Sequence, residues 1–334
     1  MTNILITGAS GFIGGAFMRR FACHDGIRLC GIGRRSVEGF PTSVRYQALD
    51  LARLATLDFT PDVVIHAAGR AGPWGTRREY YRDNVVTTEQ VIKFCQSRGN
   101  PRLIYLSTAA VYYRYCHQLA LTEQSEIGPE FANDYALTKH QGEALIEAYQ
   151  GEKTILRPCA VFGPGDQLLF PPLLDAASRH GLPLLISEVP ARGELMHIDV
   201  LCDYLLKAAI KPELRLFYNL SNAEPIEINE FLIDVLSKLG LPAPKREVRV
   251  ATAMLIAGII EGTYRLLRIK SEPSITRFGV GVLGYSKTLD VSAAIHDFGS
   301  PSRSLSQGLD ALFAGTRNRN NDLPRGHLAG HLVV

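Results

Sequence analysis

An excess of one charge sign is largely missing from this chain of 334 residues, where 36 Lys and Arg stand against 33 Asp and Glu. The cations are scattered rather than gathered in runs, which argues against nucleic acid as a partner. Cys23, Cys30, Cys95, Cys116, Cys159 and Cys202 show no CxxC spacing and no His-rich segment beside them. They predict buried thiols in a reducing compartment, with no metal site. Long hydrophobic runs are also absent. The longest, residues 251–260, is half the ~20 residues a spanning helix needs, and Glu261 and Arg265 follow it. The opening MTNILITG lacks the basic start and cleavage site of a signal peptide, so a cytoplasmic location is expected. No internal repeat is present.

What remains is ordinary globular composition, 46% hydrophobic and 21% charged, enough for one large unit and one smaller. Short apolar, β-branched runs at 4–7, 27–32, 44–48, 63–66, 103–106 and 154–156 predict strands, several apolar at successive positions as strands buried on both faces are. Between them 12–21, 77–97 and 133–149 carry helical periodicity, the crossovers of a parallel sheet. The fold class predicted is α/β, a Rossmann-type doubly wound parallel sheet with a smaller, loop-rich C-terminal substrate region. The sheet unit spans 1–158 and the substrate region 159–315, with helices at 171–179, 199–209, 228–239, 252–267 and 304–313. Residues 316–334 are polar and aperiodic and predict a disordered tail.

Directly after the first strand comes Thr7, Gly8, Ala9, Ser10, Gly11, Phe12, Ile13, Gly14, opening onto a helix. Glycines are needed where backbone turns tightly and approaches a pyrophosphate, and the helix N-terminus offers free N–H groups to the phosphates. At the end of the second strand, where an NAD enzyme places an Asp or Glu on the ribose, stand Arg34, Arg35 and Ser36. Two guanidinium groups and a hydroxyl suit a 2′-phosphate, so NADP is expected over NAD.

Tyr135 and Lys139 form a YxxxK pair on one face of a predicted helix, and Ser107 and Thr108 end the strand LIYL. A phenol is a poor acid or base near neutrality unless its pKa is lowered. An ammonium at about 4 Å, with an effective dielectric near 20, attracts a phenolate by about 4 kcal/mol, which predicts a Tyr135 shifted toward neutrality.

On these segments the chain resembles the extended short-chain dehydrogenase/reductase family. The resemblance implies further cofactor contacts at Asp50 and Leu51, at Ala67, Ala68 and Gly69 after His66, at Asn84, at Ser107, and at Pro158, Cys159, Ala160 and Val161 of RPCAVFGPGD. It implies Thr108 as the catalytic hydroxyl, counted back from Tyr112 in STAAVY, and a homodimer built on the helices holding Asn84 and Tyr135.

AGPWG, GPGDQLLFPPLL and EPSITRF are similar to the branch of 3β-hydroxysteroid dehydrogenases and 2-alkyl-3-oxoacid reductases. The nucleotide-sugar epimerase and dehydratase branch competes. It carries an Arg four residues before the His of its late motif, where this chain has Gly193, with Arg192 one place off. A lipophilic ketone substrate is therefore expected, near Trp74, Thr108, Ala109, Tyr112, Arg192 and His197, with Trp74 closing over the nicotinamide and Tyr112 at the pocket mouth. Leu255, Ile256, Ile259 and Ile260 suit a pocket wall, a membrane surface, a bound acyl carrier or ordinary packing.

Overall fold

The computed structural model describes residues 1–72 and 74–321. Strands β1 (Thr2–Thr7), β2 (Ile27–Gly33), β3 (Arg45–Ala48), β4 (Val63–His66), β5 (Arg102–Leu106), β6 (Lys153–Pro158) and β7 (Phe217–Leu220) form one sheet in the order β7-β6-β5-β4-β1-β2-β3. Every pairing in it is parallel. The order reverses between β1 and β4, which opens a crevice at the carboxyl ends of the strands.

Alternation within the strands builds two layers of core. Ile4, Ile6, Ile65 and Leu156 pack with Phe17 and Met18 of α1 (Phe12–Arg20), while Leu5, Val64, Tyr105 and Ile155 pack the opposite face. That second face is covered by α3 (Thr87–Ser97) and α4 (Asp134–Glu147). A short α2 (Arg77–Tyr80), closed by a Thr76–Glu79 capping box, runs through a π-helical turn, Tyr81–Val86, into α3. Beyond the sheet lie α5 (Phe170–His180), α6 (Ile198–Ile210), α7 (Ile228–Lys238), α8 (Val250–Leu266), α9 (Arg277–Gly284), α10 (Ser292–Phe298) and α11 (Leu305–Asn321).

The six expected strands and three crossover helices are present. The seventh strand was not expected, and it comes from beyond residue 158. FYNL is too short to show a period, and only its pairing with β6 makes it a strand. Helix α6 joins the same unit, since its buried face packs with Ile4, Ile65 and Ile104 and Arg20 of α1 holds Asp203 at 2.8 Å. The sheet unit therefore reclaims residues 198–220 from the region assigned to substrate. Helix α11 continues to Asn321, into the stretch expected to be a tail, and residues 322–334 lie outside the described residues. No helix among the described residues is long and apolar enough to cross a membrane.

Candidate active site

The loop after β1 is set by close backbone approach. Gly8 has φ of +72°, and a Cβ on Gly14 would lie 2.5 Å from the Gly8 carbonyl oxygen, so the loop folds under the start of α1 only with glycine there. Gly11 is the N-cap and supplies no side-chain acceptor, and the first turn of α1 holds no acid. The exposed N–H groups and positive end of the helix fit a diphosphate. Thr7 does not face that ligand. Its hydroxyl meets His66 Nδ1 at 2.8 Å and accepts from Ala68 N, tying the ends of β1 and β4 together. His66 also bonds Thr88 on α3, and burial, aided by the charge of Lys139, lowers its pKa to about 3, so the ring is neutral.

At the end of β2, Arg35 donates to the Ser10 carbonyl at 2.5 Å, and Arg34 stands largely exposed with Asp83 as a distant partner at 4.0 Å. Ser36 is exposed beside them. Asp50 caps a helical turn, Leu51–Thr56, through Ala52 N. Ala67, Ala68 and Gly69 follow β4 at the floor of the crevice.

Asn84 is buried, and its side chain is fully spent within the protein. Its Oδ1 accepts from Arg70 N at 2.7 Å and its Nδ2 donates to Thr138 Oγ1 at 3.0 Å. It fixes the loop after β4 against α4 instead of lining the cofactor groove, which corrects the expectation of a cofactor contact.

Helix α4 starts at Asn133, whose side chain caps Ala136 N. It lies close on β5, where a Cβ on Gly142 would overlap the Tyr105 hydroxyl. That proximity puts Lys139 Nζ on the Leu106 carbonyl at 2.6 Å and over the Tyr105 ring at 4.0 Å. Burial lowers the Lys139 pKa to about 7 against the opposing charge of Glu143. Tyr135, half-buried on the same face with its ring 6.5 Å from that of Tyr80, is raised by burial, and the Thr108 hydroxyl draws it back. This reverses the expected direction: desolvation dominates, and the Thr108 hydrogen bond offsets only part of it.

Ser107 and Thr108 divide their tasks. Ser107 is buried and donates to Glu143 Oε1 at 2.5 Å, whereas Thr108 stands beside Tyr135 and caps the turn Ala109–Tyr112. Ala109 and Tyr112 are not on the substrate side. Ala109 is in the core, and the Tyr112 hydroxyl donates to Asn219 Oδ1 at 2.9 Å and accepts from Arg157, so the expected place at a pocket mouth is corrected. Arg157 in turn grips Glu143 in a two-pronged pair at 2.9 and 2.7 Å. Burial works to raise the Glu143 carboxyl, yet hydrogen bonds from His140, Arg157 and Ser107 hold it below its ordinary value.

Sequence reading missed Glu143, Arg157 and Asn219. Two signals were available: Glu143 follows Lys139 at the same four-residue step that separates Tyr135 from Lys139, and Arg157 is a charge inside the apolar strand TILRP.

The other expected site residues are dispersed. Pro158, Cys159, Ala160 and Val161 lead out of β6, where Ala160–Phe162 pairs with Leu195–His197. Burial, with the charge of Glu194, pushes the Cys159 thiol far above its ordinary value, so it is no nucleophile. His197 is 1% exposed, caps α6 by accepting from Asp199 N, and packs edge-on to Phe162, so it is a core residue and not a wall of an open pocket. Arg192 is exposed on its short strand. Trp74 turns toward α8, edge-to-face with Tyr264 at 6.2 Å and under Arg265 at 5.8 Å. No cluster that could hold a metal occurs among the described residues.

Known proteins are similar to this chain in sequence and in fold. The sequence profile of the NAD dependent epimerase/dehydratase family matches residues 4–219. A 2-alkyl-3-oxoalkanoate reductase of Stenotrophomonas maltophilia is 30% identical over 94% of this chain and 99% of its own. A 3beta-hydroxysteroid-dehydrogenase/decarboxylase of Arabidopsis thaliana is 30% identical over 74% of this chain and 47% of its own. In fold, UDP-glucuronic acid 4-epimerase from Bacillus cereus, solved in complex with NAD, superposes with a TM-score of 0.71 at 22% identity, covering 95% of this chain and 99% of that one. The glycine loop under α1, the parallel sheet and the matched profile together place this chain in the NAD dependent epimerase/dehydratase family, as an NAD(P)-dependent enzyme of oxidoreductase type.

Proposed function

We propose that this protein is an NADP-dependent ketone reductase, acting as a cytoplasmic homodimer on a lipophilic, 3-oxoacyl-like or sterol-like substrate. The observation that carries the reading is that Thr108 stands beside Tyr135 and Lys139 reaches the Leu106 carbonyl, all at the carboxyl end of β5 in the sheet whose β1 leads into the glycine loop. The reduced form, NADPH, would supply the hydride when bound. Gly8 to Gly14 with the N-terminus of α1 would hold its diphosphate, and Arg34 and Arg35 its 2′-phosphate.

In reduction, the Thr108 hydroxyl donates a hydrogen bond to the substrate carbonyl oxygen. Tyr135 Oη would give its proton to that oxygen as a ketone is reduced to a secondary alcohol. A Tyr135 whose pKa is raised arrives protonated, as a donor must. Lys139, near its midpoint at neutral pH, stands ready to stabilise the phenolate that remains. The ketone reading is supported by relatives whose names are reductases and hydroxysteroid dehydrogenases, and by Gly193 where a sugar-nucleotide enzyme carries Arg.

The test follows NADPH absorbance with 3-oxoacids and their thioesters, cyclic ketones, sterols and nucleotide 4-keto-sugars. Oxidation of NADPH by a lipophilic ketone is expected, and Tyr135→Phe should lower the rate by about 10³-fold with cofactor affinity nearly unchanged. Interconversion of nucleotide sugars without net NADPH consumption would overturn the reading.

A further inference from the structure

Helix α8 is apolar on its outer face as well as on its inner one. Val250, Ala253 and Ala257 pack inward on Leu185 and Val280. Ala251, Leu255, Ile259, Gly262 and Leu266, spaced by four, four, three and four, form the opposite ridge. Leu255, Ile259 and Leu266 on that ridge are 66, 62 and 82% exposed. The charged residues of the helix lie off that ridge: Glu261 accepts from Arg277 N at 2.7 Å, and the exposed Arg265 lies over Trp74. An apolar ridge turned to solvent is the reverse of what water favours.

The two ends of this ridge are basic. Lys245, Arg246 and Arg249 precede it and Arg268 and Lys270 follow it, all exposed and none in an ion pair among the described residues. Between residues 245 and 277 stand seven Lys and Arg against three Glu, so the rest of a chain whose whole excess is three is slightly acidic. Met254, Leu255, Gly258, Ile259 and Arg277 line a shallow groove of about 390 Å³ along the helix.

We propose that α8 docks this protein on an anionic lipid bilayer, lying in the plane of the surface with its apolar ridge among the acyl chains and its basic ends on the headgroups. A helix of 17 residues spans about 26 Å, so the two cationic clusters reach separate headgroups while the apolar ridge between them meets hydrocarbon. A second copy of the chain fits the charge less well. Antiparallel pairing would set each basic front against the partner's basic end, and parallel pairing would set like clusters side by side. Contact of Tyr264 and Arg265 with Trp74 puts the docked helix next to the loop that follows the crevice floor. That gives a lipophilic substrate a short path if the reductase reading holds, but docking itself does not depend on that reading.

The full chain is mixed with vesicles of phosphatidylglycerol or of phosphatidylcholine and sedimented, with emission of Trp74, the one tryptophan, as second readout. Sedimentation with phosphatidylglycerol is expected, weaker by about tenfold with phosphatidylcholine and weakened by salt. The double variant Leu255→Glu, Ile259→Glu should lose about tenfold of the binding while melting like the parent, because both side chains are exposed. A parent that stays in the supernatant with phosphatidylglycerol sinks the proposal, as does a variant that binds equally. If the parent ignores vesicles but runs as an oligomer that the variant dissociates, the ridge is covered by a second copy and the lipid assignment fails. Sedimentation requires no turnover, so a failed reductase assay and a failed docking assay are separate results.

Discussion

The proposed catalytic residues rest on a buried polar network. Tyr135, Lys139 and Glu143 descend α4 in steps of four, and the third is locked by Arg157 and Ser107. Ser107 directly precedes Thr108, so the carboxylate fixes both the helix and the strand end that face the substrate. Removing one partner of a buried ion pair leaves the other uncompensated. Arg157→Leu should therefore cost about 3–5 kcal/mol in urea unfolding at pH 7. The pH dependence has a definite sign. Because the native Glu143 pKa is depressed, its stabilisation is present above the ordinary carboxylate value and is lost as pH falls through the native one. In the variant the stranded carboxylate is relieved by protonation, so the gap to the parent should close on acidification. A gap that is constant with pH would show that the loss comes from packing instead.

Among the elements, periodicity revealed what local physics decides. β1, α1 and the turn between them were legible because glycine spacing, a β-branched run and a helical repeat coincide within twenty residues. Short segments paired only by tertiary contact were not: Phe217–Leu220, the pair Ala160–Phe162 with Leu195–His197, and α9 carry no period of their own. The candidate site could be named from the sequence where the proposed chemistry demands a residue type, at Tyr135, Lys139 and Thr108. It was misjudged at Tyr112 and His197, whose burial is set by partners far away in sequence, Asn219 and Asp199 with Phe162. The end of β2 tests cofactor choice at this scale. Arg34 is largely exposed and only loosely paired, so Arg34→Ala should leave the fold intact. If that guanidinium receives the 2′-phosphate, the KM for NADPH should rise about tenfold or more while that for NADH changes little. Equal changes for both cofactors would remove Arg34 from recognition.

At the scale of the molecule, the chain is not divisible where its composition changes. A cut after Pro158 would strip β7 from the edge of the sheet, leaving Ile155 and Leu156 of β6, both fully buried in the intact chain, with a neighbouring strand on one side only. It would also remove α6, whose Leu201, Leu205 and Ala208 cover one sheet face together with α1. The Tyr112 hydroxyl would lose Asn219, and Asn219 Nδ2 in the whole chain also secures the Leu121 carbonyl, so the active-site network itself reaches across the cut. Burial of this size is the main favourable term in folding, and several large core side chains exposed at about 1.5–3 kcal/mol each exceed what a domain can lose. The fragment 1–158 should therefore be aggregated or lack a cooperative thermal transition by circular dichroism, whereas the full chain melts cooperatively and shifts upward with NADPH. A fragment that melted cooperatively and still gained stability from NADPH would mean that the sheet closes without β7 and α6, and that the later half only adds the substrate's walls.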